Sequence, residues 1–186
     1  SQKLRFKMAN LNRVRPYLSE AKAKMITESL ILSTISYMAT LYLRLPTNQK
    51  KIQKLMNISA RSVLKAHPRT HVVDLLRELY WLNATNMWEY QLICVLRRIR
   101  QGLMKAPISF EEIFIQKNPE LRRLRGNDLR VQWTRMNSHG LNSFANNSCV
   151  AYNKYNLNTE MFLNEDSFKE SVKFRIFTRC ENGSIK

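Results

Sequence analysis

Two histidines, His67 and His71, have the four-residue spacing at which metal ligands can share one face of a helix. Pro68 lies between them and interrupts the helix that would align them, and no acid or cysteine completes a ligand set. Zinc binding at this pair is therefore disfavoured. The remaining histidine, His139, stands alone in an Asn-rich stretch, where we expect it to be exposed.

Other catalytic chemistry finds no better pattern. The adjacent Glu111 and Glu112 would point in different directions on a helix, and Glu165–Asp166 is typical of a helix start. The sequence has no GxGxxG motif, no P-loop, and no aspartate pair in a strand–turn context for two-metal phosphoryl transfer. We expect no catalytic residue, metal, cofactor or small-molecule substrate in this chain.

Cysteine usage and hydropathy indicate the compartment. Cys94, Cys149 and Cys180 are far apart and form no CxxC pair, so neither a disulfide framework nor a zinc finger is predicted. The longest apolar stretch, Met25 to Leu45, is interrupted by polar and charged residues and predicts a buried helix rather than a membrane span. These features favour an intracellular protein, nuclear or cytoplasmic and not secreted.

Composition predicts a helical protein with an anionic partner. The 186 residues include 44% hydrophobic residues but only 4 Gly and 5 Pro, which suits a folded helical core. The formal net charge is +17, and it is uneven: residues 1–70 contain 14 Lys and Arg against 2 acids, a net of +12. Such an excess favours nucleic acid as the partner, and it places the interacting surface in the first 70 residues.

One predicted helix arranges this charge as a stripe. At about 100° per residue, Lys50, Lys54, Arg61 and Lys65 fall within a narrow arc, and apolar residues such as Met56 and Val63 lie on the far side. Such a helix can lie along a phosphate backbone while its other face docks on a core. The competing interpretation is an ordinary solvated helix face. The residues that we predict to contact phosphates here are Lys50, Lys51, Lys54, Arg61, Lys65 and Arg69.

A second cationic group, Arg97, Arg98 and Arg100, ends another predicted helix. Cations at that position also complement the helix dipole, so we treat these three arginines as secondary nucleic-acid contacts. Trp81, Trp88 and Tyr90 have aromatic faces suited to base stacking. Their spacing beside Leu82 and Leu92 favours the core instead.

Helix signals recur through the first 105 residues. A weakly amphipathic basic segment covers 3–14, and later boundaries are marked by capping residues, by Pro46, by His67–Pro68 and by Gly102. The predicted helices are 19–43 with Ser19 as N-cap, 47–66 with Thr47 as N-cap, 72–80, and one capped by Asn83 or Thr85 that ends before Gly102.

The remaining sequence changes in texture. Ser109 and Glu112 form a capping box for a short helix, and Asp166 is the expected N-cap of a terminal amphipathic helix. Between them, residues 119–165 predict an Asn-rich irregular segment, a loop with short pieces of helix or strand. The predicted fold is mainly α: a bundle of about five to seven helices with an irregular segment and a C-terminal helix. We divide it into a basic helical domain, 1–105, and a smaller C-terminal subdomain, 106–186.

Two sequence phrases follow the Ser33–Tyr37 segment, namely QKLMNISARSVLKAH at 53–67 and HVVDLLRELYWLNATNMWEYQ at 71–91. Read in this order, the segments resemble the region that follows the polymerase palm in non-LTR (LINE-type) retrotransposon reverse transcriptases. That family has "S-x-I-x-Y", then a "Q…N…R" helix, then "H…LL…L-x-WL" and a helix carrying "Y". The order continues loosely through LRRLRGNDLR at 121–130 and Ser167–Phe168–Lys169, but Tyr152 stands where the family has Trp, and its Pro is missing. The matching residues are Ser33, Ile35, Gln53, Asn57, Arg61, His71, Leu75, Leu76, Leu79, Trp81, Leu82 and Tyr90.

The resemblance implies the thumb and post-thumb part of such a polymerase, without the catalytic palm. It implies a basic helical, non-catalytic module that grips the template–primer duplex, RNA or RNA–DNA, by its backbone. About six neutralised phosphates would give a log–log salt slope near −5. The alternative that we carry is a domesticated retrotransposon remnant that binds another protein. Membrane-surface binding is disfavoured because the cations lack an exposed aromatic face beside them.

Overall fold

The computed structural model describes residues 2–37, 39–105, 129, 143–157 and 164–183. These residues are mainly helical, as predicted, and strand-type pairing among them is confined to an isolated bridge at Leu129. Contacts divide the chain into two units, Ser1–Trp88 and Glu89–Lys186. The boundary predicted between 105 and 106 adjoins residues outside the described ranges and stays a prediction.

The N-terminal unit is built from helices joined by short turns. α1 leads through a 3₁₀ turn into α2, which continues through a π-helical turn into α3, and α5 is the longest helix of the unit. The elements are α1 Gln2–Val14, the 3₁₀ turn Arg15–Tyr17, α2 Glu20–Thr27, the π turn Glu28–Leu32, α3 Ser33–Ser36, α4 Ala39–Tyr42, α5 Pro46–Leu64, α6 Val72–Glu78 and the first residues of α7 Ala84–Arg100.

The helix predicted over 19–43 begins as expected but is interrupted. The Ser19 side chain accepts a hydrogen bond from Lys22 N, which confirms it as the N-cap. The helical stretch ends at Ser36, because Tyr37 has an extended backbone with ψ 120°. Hydroxyls along this stretch donate to carbonyls one turn back, for example Thr34 to Leu30 O at 2.8 Å. Such bonds compete with regular helix geometry, which accounts for the π turn and the early stop.

The N-terminus of α5 corrects a second prediction. Thr47 is not the N-cap: the helix starts at Pro46, and Leu45 precedes it in an extended conformation without a side-chain cap. Proline suits the first helical position because its missing N–H would have no partner there. The helix ends at Leu64, two residues before the predicted end at Ala66, because Lys65 adopts φ 49° and the Ala66 N–H bonds to Arg61 O at 3.0 Å.

The ends of α7 agree with the sequence signals. Asn83, rather than Thr85, is the N-cap, because its Oδ1 accepts from Asn86 N at 2.8 Å. The helix ends at Arg100, and Gly102 follows with φ +69°, a conformation that glycine adopts without strain. The predicted turn at Gly102 is therefore confirmed.

Part of the core of the N-terminal unit lies between α1 and α5, which run in the same direction, and α5 also packs against α2 and α6. The sulfur of Met8 lies 3.0 Å from the Ser59 hydroxyl, and one turn further along, Ser62 Oγ donates to Asn12 Oδ1 at 2.6 Å. Both helices bury residues at helical spacing toward this core, which fixes the rotation of α5 about its axis. The buried residues are Leu4, Met8 and Leu11 of α1 and Met56, Ser59, Ala60 and Val63 of α5.

Arg15 joins the end of α1 to the end of α5. Its side chain is only 7% exposed. Its Nε donates to Ser62 O at 2.8 Å, Nη1 donates to Leu18 O at 2.7 Å, and Nη2 donates to Val63 O. Two of these acceptors belong to the last turn of α5, whose carbonyls have no partner within the helix. The buried guanidinium therefore caps α5 by hydrogen bonds and by its charge at the negative end of the dipole.

In the C-terminal unit, the described residues form the rest of α7, α8 Phe144–Tyr155 and α9 Glu165–Gly183. α8 lies within the segment predicted to be a loop with short pieces of helix or strand, and its 12 residues make it longer than such a short piece. Ser143 caps the helix by accepting from Asn146 N at 3.2 Å. The predicted cap of α9, Asp166, is wrong. Asn164 Oδ1 accepts from Ser167 N at 2.8 Å instead.

The remaining sequence predictions for this unit have two different outcomes. The predicted buried face of α9 is confirmed for Phe168, Val172 and Ile176, which are all fully buried. The Ser109–Glu112 capping box and His139 lie outside the described residues.

We predict that Arg15→Met destabilises the N-terminal unit by about 2 to 4 kcal/mol. The substitution keeps much of the side-chain volume but leaves buried carbonyls without donors, which is costly. Urea unfolding monitored by far-UV circular dichroism measures the effect, and hydrogen exchange should show lost protection at the end of α5. Arg13→Met is the matched control, because Arg13 is exposed. Equal stability of the two variants would contradict the capping role of Arg15.

Candidate nucleic-acid interface

Lys50, Lys51 and Lys54 are exposed on α5. They lie opposite the face that docks on the core, whose residues include Met56 and Val63. The rotation of α5 is fixed by its buried face, so the three lysines are held on the outside of the unit by the same packing that buries the apolar residues. We call Lys50, Lys51 and Lys54 the α5 lysines.

Few acidic groups are present in this unit to neutralise these charges. Residues 1–88 contain 15 Lys and Arg but only 4 Asp and Glu. Asp74 faces Arg77 at 3.7 Å, and Glu28 accepts a hydrogen bond from the Trp81 indole at 2.8 Å. Among the described residues, none of the ion pairs involves an α5 lysine. The positive potential of the helix face is therefore screened by solvent ions alone.

The other cations of the predicted stripe lie in different surroundings. Arg61 is half-buried, its Nη2 donates to Thr70 O at 3.4 Å, and its buried Nε has no hydrogen-bond partner. Lys65 and Arg69 are exposed, but both follow the last residue of α5, and Lys65 has left-handed backbone geometry. The stripe is therefore an exposed group of lysines at the start of α5, with Arg61 further along the helix as a partly structural residue.

Polar contacts fix α5 against the neighbouring segment. Gln53 Oε1 accepts from Ala84 N at 2.7 Å, at the start of α7, and Gln53 Nε2 donates to Asn57 Oδ1 at 2.7 Å. Gln53 thus satisfies an N–H that a helix start leaves without an internal partner. These contacts hold α5 in place without using the α5 lysines.

One residue that the sequence reasoning missed, Arg5, extends the basic surface onto α1. Asn12 and Ser62 mark one side of the seam between α1 and α5 through their 2.6 Å hydrogen bond. Arg5 precedes Asn12 by seven residues and Lys51 precedes Ser62 by eleven, and both separations return to nearly the same helix face. Arg5 and Lys51 therefore lie along the same side of the seam, and both are exposed. Only the parallel packing of the two helices reveals this.

The secondary arginines lie in the C-terminal unit and have structural surroundings. Arg97 is 4% exposed, and its guanidinium lies 4.5 Å from the centre of the Phe168 ring. Arg98 faces Glu165 at 3.8 Å, and Arg100 lies 5.7 Å from the centre of the Tyr152 ring. The helix end that suggested a phosphate contact instead places Arg97 in the core. Arg98 and Arg100 are exposed beside protein groups.

Glu165 is surrounded by cations in the same unit. The Lys169 ammonium, which bonds to Glu165 at 2.8 Å, lowers the pKa of this carboxyl, and the charge of Arg98 lowers it further. The carboxylate therefore stays ionised at neutral pH and offsets part of the positive charge near the start of α9.

The two tryptophans considered for base stacking, Trp81 and Trp88, are held within the fold by hydrogen bonds. Trp81 is 3% exposed and donates its indole N–H to Glu28. Trp88 is half-buried, and its indole N–H points to Thr40 O at 3.4 Å. A buried indole normally needs such an acceptor, so these contacts explain both orientations. The predicted core position is confirmed for Trp81.

Nucleophilic and metal chemistry find no support in the described part of the chain. No group of three His, Cys, Asp or Glu residues there could hold a metal ion. His67 and His71 are both exposed, and His67 Nδ1 accepts from its own loop, from Arg69 N at 3.2 Å. Within the same residues, no helix combines the length and the apolar character needed to cross a bilayer.

Two cysteines are made unreactive by burial. Desolvation raises the pKa of Cys94 to about 11 and that of Cys149 to about 11. Desolvation likewise raises the pKa of Tyr90, which lies close to Cys94. The nucleophile is the thiolate, so these thiols are protonated and inert at neutral pH.

Comparison of the chain with protein-family models, with curated proteins and with solved structures gives no match. Function is therefore inferred from the chemistry of the surface. In the N-terminal unit that surface is the exposed face of α5, whose lysines form no ion pair among the described residues. Such a surface can attract phosphates.

We predict that iodoacetamide at pH 8 leaves Cys94 and Cys149 unmodified in the folded protein. Their raised pKa values keep both thiols protonated, and burial also shields Cys149 from the reagent, whereas Cys94 is half-buried. Peptide mass spectrometry reads each cysteine separately, and the same treatment in urea shows that both react once the chain is unfolded. Rapid alkylation of either thiol in the folded state would contradict this prediction.

Proposed function

We propose that the N-terminal unit is a non-catalytic nucleic-acid-binding module that holds a duplex by its phosphate backbone. The observation that carries the proposal is the position of the α5 lysines: they are exposed, they lack acidic partners among the described residues, and they lie opposite the buried face of one helix. Ammonium groups on flexible stems bind phosphates as point charges and read little sequence.

The length of α5 suits a run of backbone contacts. From Lys50 to Arg61 the helix rises about 16 Å, at about 1.5 Å per residue. That distance corresponds to about five base pairs at about 3.4 Å per pair. A helix held at both ends can present its cations along such a distance with little loss of conformational entropy, because the backbone is already ordered. Arg15 and Gln53 supply that support.

The resemblance to LINE-type reverse transcriptases extends the proposal to a thumb-like and post-thumb role. The ligand would then be a template–primer duplex of RNA or RNA–DNA, in the nucleus or cytoplasm, and polymerase activity would belong to a palm outside this chain. The helical fold and the basic α5 support this proposal. Shape and phosphates, rather than base edges, are what a duplex grip recognises.

A protein-binding role is the second candidate, and exposed apolar side chains favour it. Tyr17 is 89% exposed, and Phe6, Met25, Tyr37 and Leu41 are each about two-thirds exposed or more. All five lie in the N-terminal unit. Exposed aromatic and Met side chains are enriched at protein interfaces. In this alternative the basic surface would be inherited from the retrotransposon and would have no nucleic-acid partner.

We predict that replacing the α5 lysines together, Lys50→Gln, Lys51→Gln and Lys54→Gln, weakens binding to an RNA–DNA duplex. The slope of log K against log salt concentration is negative, and each lost phosphate contact reduces its magnitude by about 0.9. The magnitude should therefore decrease by about 2.7 in the triple variant. Fluorescence anisotropy with a labelled duplex at several salt concentrations measures both the affinity and the slope.

The matched control replaces Lys3, Lys22 and Lys24 with glutamine, which removes the same charge elsewhere in the unit. We expect its slope to change by less than about one. Equal losses in the two variants would show diffuse attraction rather than an interface on α5. If the unmodified protein has no salt-dependent affinity for the duplex, the proposal is wrong, and the protein-binding alternative takes its place.

A further inference from the structure

The C-terminal unit contains an open groove of about 250 Å³ between the end of α8 and the face of α9. Its lining includes Lys154 of α8 and Phe174, Arg175 and Arg179 of α9. All of these residues belong to one unit, and none takes part in the surface on α5. The groove is smaller than the clefts that enclose drug-sized ligands, which measure about 300 to 1,000 Å³. Its size suits a single planar group.

Two arginines are fixed in the groove by backbone carbonyls. Arg175 Nη1 donates to Tyr155 O and to Asn156 O, both at 2.9 Å, and Arg179 Nη1 donates to Lys154 O. Carbonyl groups are uncharged, so these bonds set the position of each guanidinium without cancelling its charge. Lys154 contributes less, because Glu89 lies 2.7 Å from its ammonium. Arg179, which is exposed, is therefore the cation of the groove that can serve an anion.

An exposed aromatic ring lies beside these charges. Phe174 is 63% exposed and adjoins Arg175 in the sequence, while Arg179 follows one turn later on the same helix. A ring held on a helix loses little conformational freedom on stacking, and each base presents a flat face to it. The Arg179 guanidinium lines the same groove as this ring and can pair with a phosphate.

We propose that this groove binds single-stranded nucleic acid, with one base stacked on Phe174 and the adjoining phosphate paired with Arg179. A duplex does not fit this chemistry, because its base faces are stacked within the helix and unavailable to the ring. The inference rests on the proposed function in that both assign a nucleic-acid ligand to the chain. It adds a second site in the other unit, specific for unpaired nucleotides.

The test compares two ligands and two variants of the full chain. Phe174→Leu removes the aromatic face but keeps an apolar side chain, and Arg179→Gln removes one charge. With a labelled single-stranded RNA of ten uridines, we expect Phe174→Leu to weaken binding about 5-fold or more with an unchanged salt slope. Arg179→Gln should reduce the magnitude of the negative salt slope by about 0.7. Binding to the RNA–DNA duplex should be unaffected by either substitution.

Phe6→Leu is the matched control, because Phe6 is 69% exposed in the N-terminal unit and lies outside the groove. Loss of single-strand binding by Phe174→Leu but not by Phe6→Leu supports the groove, even if the duplex fails to bind and the α5 proposal falls. The groove proposal is wrong if Phe174→Leu leaves single-strand binding unchanged. If duplex binding still depends on the α5 lysines in that case, the proposed function remains supported. Equal losses in the two phenylalanine variants also overturn the groove.

Discussion

The contact on which the N-terminal unit depends is the bond between the Arg15 guanidinium and the carbonyls that end α5. It lies at the end of the hydrophobic contact between α1 and α5, next to the last buried apolar residues of the two helices. It also satisfies backbone acceptors that burial would otherwise leave unpaired. Because α5 is fixed at this end, its buried face cannot rotate. The α5 lysines on the opposite face are therefore held outward.

The same device recurs in the C-terminal unit, where Arg175 and Arg179 donate to the carbonyls that end α8. The planar guanidinium, with donors in several directions, can serve a helix end and still carry its charge. The Lys7 ammonium also donates to a backbone carbonyl, Leu30 O, at 3.0 Å, but no such bond from the α5 lysines is found among the described residues. The arginines that bond to carbonyls therefore stabilise the ends of α5 and α8 and keep their charge, while the α5 lysines stay exposed.

Local signals in the sequence predicted much of the helical framework. The caps at Ser19 and Asn83 and the turn at Gly102 depend on residues within one helical turn, so they are readable without tertiary structure. The failures depend on distant partners or on competing local bonds. Burial of Arg97 over Phe168 requires two helices to meet, and α8 is stabilised by packing that its polar, Asn-rich sequence does not reveal. The candidate interface could be predicted only in part from the sequence. Helical periodicity identified Lys50 and Lys54, whereas Arg5 could be assigned to the surface only from the parallel packing of α1 and α5.

Several residues that carry the reverse transcriptase resemblance form hydrogen bonds that stabilise this fold. Gln53 satisfies the first turn of α7, Arg61 reaches Thr70 O, and Trp81 donates to Glu28. A pattern of this kind specifies how α5 is held, and it leaves open what the helix binds. The α5 lysines flank Gln53 in the sequence, and no ion pair among the described residues uses them. Because their charge is not needed to hold the helix, we propose that it serves a ligand, and phosphate is the ligand that exposed ammonium groups on a fixed helix suit best.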